Sequence, residues 1–378
     1  MNRKLDILAV LISTFTVWFI IGINAAYLPL YAFYILGASN LLVGLLSTVY
    51  FCVNAPSSII AGYLVDKYRV IKAIFSVSLL LLSVSVILIV YIPEAEQLLW
   101  ARIIQGIAVA SIVPLSNLLG SELFGTGKGV GLVNMIGSLG FFLSTLLGGI
   151  ILSYISYKEL FLYSTIIPLV SLALVLCAPF REFGNSTYSG IKISDIKKIS
   201  RPIWIMYIAL FLRQLGAAGV WSMFSLFIYS LGGNNVILGV LFAINPLIQA
   251  LIFERFGRYA EGRGITVFRY GLILSAVVFI GYYISTDPIT IIIFQVILGV
   301  SWVSLCVGIN VYIIENTPVE ICGTSLGFVN TVLAFSWILG SLLSGFIADL
   351  TGSYKIYILV SALLSVIAYI AIKMLQKQ

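Results

Sequence analysis

Gly37-Ala38-Ser39-Asn40 ends one long apolar run and opens the next, and about 195 residues later Gly232-Gly233-Asn234-Asn235 does the same. The correspondence spreads outward from these turns. Gly44, Gly62 and Asp66 recur as Gly239, Gly257 and Glu261 at the same offset. With the offset slipped by one, Gly131-Leu132-Val133-Asn134 returns as Gly327-Phe328-Val329-Asn330, and Gly149 returns as Gly345. Two parallel copies of one apolar pattern predict two pseudo-symmetric bundles in a single chain.

The chain has 378 residues, of which 61% are hydrophobic and only 9% charged. Its mean hydropathy is +1.13. A soluble protein has a largely polar exterior and cannot hide so much apolar surface. Apolar runs long enough to cross a bilayer as helices recur down the sequence. The expected fold is therefore an all-α polytopic membrane protein with twelve transmembrane helices in two six-helix bundles. Expected spans are 7–36, 40–63, 71–92, 97–118, 130–153, 158–180, 203–231, 236–256, 265–285, 288–313, 323–346 and 353–374. Residues 1–180 make the N-terminal bundle, 181–202 a polar cytoplasmic linker, and 203–378 the C-terminal bundle. The N-terminal apolar run reaches Leu36, too long for a signal peptide, and reads as the first membrane helix.

The formal charge of +7 suggests nucleic acid until its distribution is read. Basic residues sit between helices on alternate loops, so a nucleic-acid partner is not expected. With both termini inside, Lys158 and Lys355 alone of 21 basic residues fall outside, while Arg102 and Arg213 fall within helices. That bias predicts a multi-pass protein of the cytoplasmic membrane with both termini cytoplasmic. An odd number of helices would scramble it. The chain has no histidine, and its four cysteines form no CxxC pair. Metal sites, disulfides and cofactors are accordingly not expected. Gly125-Thr126-Gly127-Lys128-Gly129 has Glu122 and Gly129 where a phosphate loop needs Gly and Ser or Thr. It reads as the loop between helices 4 and 5, so any driving energy comes from a gradient.

Gly62-Tyr63-Leu64-Val65-Asp66-Lys67-Tyr68-Arg69-Val70-Ile71-Lys72 ends the second span. It resembles the loop signature of the major facilitator superfamily. Leu99-Trp100-Ala101-Arg102-Ile103-Ile104-Gln105-Gly106 resembles that family's helix-4 signature, in which Arg, Gln and Gly are fixed. With twelve spans and the half-chain repeat, the resemblance covers essentially the whole chain. There are departures: Arg69 replaces the second glycine, Ile71 replaces a base, and Gly262 does so in the second copy, Gly257-Arg258-Tyr259-Ala260-Glu261-Gly262-Arg263-Gly264. Helix 5 carries Gly140, Ser144 and Gly148 rather than the glycine–proline signature of drug antiporters. Small residues at four-residue spacing, with Gly340/Ser344 and Ser341/Gly345 in helix 11, let helix backbones approach closely.

The resemblance implies a secondary transporter working by alternating access, and not an enzyme. It assigns a gating role to Gly62, Asp66, Lys67, Lys72, Gly257, Glu261 and Arg263. In that role Asp66 would face the positive end of helix 11 near Gly323-Thr324-Ser325. Arg102 and Arg213 lie inside spans, where an unmatched guanidinium costs about 2.5–3.5 kcal/mol and needs a partner or a wet cavity. No Asp or Glu sits at that depth, so the cargo itself, a small organic anion, is one expected counter-charge; the alternative for Arg102 is a structural or gating role, tied to backbone carbonyls. The expected substrate-cavity residues are Asn24, Asn54, Arg102, Gln105, Arg213, Gln214, Trp221 and Asn245. Asn24, Asn54 and Asn245 lie near prolines (Pro29, Pro56, Pro246), where the backbone ladder is interrupted. Expected partners are the lipid bilayer, a small-molecule substrate and an optional co-transported ion, with the protein a monomer. Competing readings are a multidrug efflux antiporter of the same family and a sensor or channel on the same fold.

Overall fold

A computed structural model describes residues 2–68, 70–124, 126–180 and 199–375. Twelve of its helices are long and apolar enough to cross a membrane. In chain order they are α1 (Asn2–Leu30), α2 (Asn40–Tyr68), α3 (Ile71–Tyr91), α4 (Leu98–Phe124), α5 (Thr126–Ile151) and α6 (Tyr157–Ser164, then Ile166–Cys177). The second set is α7 (Arg201–Ser230), α8 (Asn235–Ala260), α9 (Gly264–Ile284), α10 (Ile291–Asn316), α11 (Val319–Thr351) and α12 (Tyr354–Leu375). No strand occurs among the described residues.

The turns that revealed the repeat have a steric origin. Gly37 and Gly232 both take positive φ, at 71° and 83°. That conformation is cheap only without a Cβ, and it lets each chain reverse directly into the next helix. Elsewhere the helices run further than expected. α2 continues past Gly62 to Tyr68, so the loop signature is largely helical. α5 begins at Thr126, so Thr126–Gly129 is not a loop; Gly129 instead lies against the Gly120 carbonyl of α4. Only glycine admits that approach. α11 is 33 residues long and ends on Gly352 in the left-handed conformation, whose N–H returns to the Ala348 carbonyl at 2.9 Å.

Prolines lie inside helices, as expected of spans with helical neighbours: Pro29, Pro56, Pro114 and Pro246. Just beyond Pro29, α1 widens into a π-helical turn over Tyr31–Ile35.

Two compact units divide the chain. One comprises Met1–Ala38, Leu45–Tyr188 and Asn235–Ala243; the other comprises Ser39–Gly44, Ser189–Asn234 and Ile244–Gln378. Each half of the sequence thus donates a short helix start to the unit built mainly from the other half. In the first unit, the small stripe of α5 meets α1: a side chain at Gly140 would strike Phe15 backbone, and one at Gly148 the Tyr27 ring. In the second, Gly340 of α11 rests on the Leu215 carbonyl of α7. The second unit's core runs through Met206, Leu210, Phe268, Leu272, Leu305 and Ile309. Outward faces are apolar too, with Ile59 75% and Leu350 72% exposed. In water such surfaces would be a liability; in lipid they are the solvent-facing side.

Candidate functional site

In the first unit, the polar residues converge on the seam between α2 and α4. Leu46, Tyr50 and Asn54 follow one another at four-residue spacing and share a face of α2. Across the seam, Arg102 Nε donates to the Leu46 carbonyl at 3.1 Å, and its guanidinium lies 4.5 Å from the Tyr50 ring centre. Arg102 also donates to Gln105 Oε1 one turn along α4. Gly106 lets α4 approach the Tyr50 carbonyl, and Asn54 Nδ2 donates to the Gly106 carbonyl at 3.1 Å. Asn54, Arg102 and Gln105 are therefore brought into one site. Sequence reasoning missed Tyr50, whose ring supplies the cation–π partner, because an aromatic in an apolar run carries no polar signal.

Asn24 stands apart. Ser13, Asn24 and Tyr31 are spaced by near-whole helical turns and share one face of α1. Ser13 Oγ lies 3.0 Å from Ser171 Oγ, and the Tyr31 ring sits 5.6 Å from that of Phe161, both on α6. Asn24 thus shares by spacing the face of α1 that carries the Ser13 contact with α6. Its amide is buried with no hydrogen-bond partner among the described residues.

In the second unit, Arg213 is 2% exposed and enclosed by α7, α9 and α10. Its Nε donates to Ser275 Oγ at 2.7 Å, and Nη1 donates to Gln214 Oε1 at 2.7 Å. Ser275 Oγ lies 2.7 Å from Ser301 Oγ, which donates on to the Gly271 carbonyl at 2.8 Å. The Phe279 and Trp302 rings flank the guanidinium at 5.9 and 5.5 Å. Neither Arg102 nor Arg213 meets a carboxylate among the described residues, and both rest on neutral dipoles and aromatic faces. The serine chain around Arg213 was invisible in sequence, since eleven of the twelve helices carry at least one serine. Asn245 Oδ1 accepts from Gln249 Nε2 one turn along α8. Trp221 stacks on Phe224 with centres 5.6 Å apart.

The gating set is spread over helix ends. Gly62 and Gly257 have open space where a side chain would stand. The Asp66 side chain lies outside the described residues, as does Arg69. Lys67 Nζ donates to Tyr63 Oη at 2.9 Å, which holds the ammonium above its ordinary range. Lys72 donates to the Leu176 and Ala178 carbonyls, both at 2.8 Å, and so closes the C-terminal end of α6 within its own unit. Beside it, Asp6 Oδ1 accepts from the Phe180 N–H at 3.0 Å. Glu261 is exposed, and the Arg263 guanidinium sits 5.1 Å from the Tyr259 ring centre. No group of three or more His, Cys, Asp or Glu residues able to hold a metal occurs among the described residues.

Comparison with known proteins places this arrangement. An uncharacterized MFS-type transporter of Methanocaldococcus jannaschii is 23% identical over 97% of this chain and 98% of its own length. Multidrug resistance protein 1 of Bacillus subtilis is 26% identical over 57% of each chain. The solved structure of the nucleoside transporter NupG shares the fold over 100% of both chains, with a TM-score of 0.86 and 14% identity. The model of the Major Facilitator Superfamily matches residues 10–260, and the chain belongs to that family of membrane transporters rather than to an enzyme class.

Proposed function

We propose that the protein is a secondary transporter that carries a small organic anion across the cytoplasmic membrane by alternating access. The observation that supports the anion is the pair of guanidiniums inside apolar helices, each held, among the described residues, by neutral groups. A guanidinium has five N–H donors, and the bonds to Leu46 and Gln105 leave part of the Arg102 fork for a planar carboxylate or phosphate. In this reading Arg102, Gln105 and Asn54 contact the solute. Asn24, Trp221 and Asn245 belong to its pathway. Arg213 and Gln214 add positive potential from within their bundle. Gly62, Asp66, Lys67, Lys72, Gly257, Glu261 and Arg263 act at the inner gate. Both termini face the cytoplasm, and the unit of transport is the monomer, with or without a co-transported ion.

A second reading, multidrug efflux by antiport, is favoured by the likeness to the B. subtilis multidrug resistance protein. Thermal-shift screening of purified protein against carboxylates, phosphates, nucleosides, sugars and cationic dyes separates the two. An anionic hit whose affinity falls at least tenfold in both Arg102→Ala and Arg213→Ala supports the first reading. Stabilisation by dyes alone, or unchanged anion affinity in both variants, removes it.

A further inference from the structure

The helix starts exchanged between units are held by matched contacts drawn from repeat partners. In the second unit, Tyr354 Oη donates to Asn40 Oδ1 at 2.8 Å; in the first, Tyr157 Oη donates to Asn235 Oδ1 at 2.9 Å. Gly44 of α2 lies on the Ser341 carbonyl of α11, and Gly239 of α8 lies on the Thr145 carbonyl of α5. Gly345 and Gly149 complete the pairing, against the Asn40 and Asn235 carbonyls. The glycines at these four places are needed because a Cβ would strike backbone, which cannot rotate aside.

Within these contacts a carboxylate breaks the match. Asp349 Oδ1 accepts from the Asn40 N–H at 3.0 Å and from Asn40 Nδ2 at 2.8 Å, while Oδ2 accepts from the Leu41 N–H at 2.8 Å. A carboxylate thus caps the first N–H groups of α2 and sits at the positive end of its dipole. The repeat position in the other copy is Ser153, which carries no charge. Secondary structure explains the difference. α5 stops at Ile151, whereas α11 runs to Thr351, and its extra turn carries Asp349 to the α2 start.

We propose that these contacts are two latches of unequal strength, and that Asp349 makes the α2–α11 latch the later of the two to open. This rests on the alternating-access reading, in which the Asn40 and Asn235 ends face the outside. Charge-assisted bonds are roughly twice as strong as neutral ones, so the α8 start parts from α5 first and α2 follows. Asp349 therefore sets the bias against opening outward without touching solute.

Single-cysteine accessibility tests this in protein whose four native cysteines are replaced by alanine. Ser341→Cys reports the α2–α11 latch and Thr145→Cys the α5–α8 latch, each through its reaction with an outside-added, membrane-impermeant maleimide. Asp349→Asn is expected to speed labelling of Ser341→Cys about threefold or more, with a smaller change at Thr145→Cys. No change at Ser341→Cys, or equal acceleration at both sites, overturns the assignment of Asp349. Gly345→Trp, which drives a ring against the Asn40 carbonyl, separates the two failures. If this wedge exposes Ser341→Cys while Asp349→Asn does not, the latch proposal alone falls. If even the wedge leaves Ser341→Cys unreactive, the α2 start never leaves α11, and the alternating-access reading falls with it.

Discussion

The α2–α4 seam of the first unit and the α8–α10 seam of the second are built on one plan and filled differently. Gly106 lets α4 approach the Tyr50 carbonyl, and Gly299 lets α10 approach the Asn245 carbonyl, so Tyr50 and Asn245 are equivalent. One turn before each glycine stands the residue that matters: Arg102 in one copy, Gln295 in the other. Arg102 has a carbonyl, an amide oxygen and an aromatic face. Gln295 is fully buried, and neither end of its amide has a hydrogen-bond partner among the described residues. The backbone plan is shared because close helix contact needs glycine at the same places. The polar cargo of each seam is free to diverge because it does not carry the packing.

The comparison can be broken most sharply at Arg102. Arg102→Ala strips the first seam of its charge and strands the Gln105 amide. Uptake of an anionic solute into proteoliposomes should fall more than tenfold, which corresponds to more than about 1.4 kcal/mol. Uptake near the unaltered rate would move the site elsewhere. Next in size is a matched pair of glycine substitutions. At Gly106 an added methyl meets the Tyr50 carbonyl at 2.8 Å, whereas at Gly299 it first meets the Ile248 side chain at 2.9 Å. Backbone cannot yield as a side chain can, so Gly106→Ala should lower the unfolding temperature by several degrees more than Gly299→Ala. Equal losses would mean that the two seams are equally tight.

Gln295→Met tests the other side of the comparison with opposite sign. Replacing an unpartnered buried amide by an apolar chain of similar volume should stabilise by about 1 kcal/mol, read as a raised melting temperature in detergent. A fall would show that Gln295 is satisfied by water. The smallest effect belongs outside both seams. Arg258 and Glu254 pair at 3.0 Å with side chains 72% and 85% exposed, so Glu254→Ala should change stability by less than about 0.5 kcal/mol.

Much of the fold was legible because membrane spans advertise themselves by length and apolarity. The repeat turns at Gly37 and Gly232 were found at the right residues because a positive φ leaves glycine as the cheap choice. The loop signature from Gly62 reads as a helix end, yet α2 carries it to Tyr68: a helix leaving the bilayer needs no apolar residues to persist. Thr126–Gly129 misled for the opposite reason. Its glycines look like loop residues, but one of them is a contact surface for α4. Among site residues, Arg102 with Gln105 was readable as an i, i+3 pair. Which helix Asn24 faces was not readable, since an amide's type says nothing about helix rotation. Lys72, a gating residue by resemblance, is tied by its bonds to the end of α6.

By itself the sequence determined the number of helices, the repeat and the presence of buried cations without acids. These follow from local composition and from the cost of unpaired groups in hydrocarbon, which hold whatever the neighbours are. Only the tertiary structure decided what each polar group meets: Arg102 on the Tyr50 ring, Arg213 on a serine chain, Asp349 on the start of α2. Such partners are remote in sequence and chosen by helix rotation and register. A change of one residue in either turns the same side chain from a neighbour toward lipid.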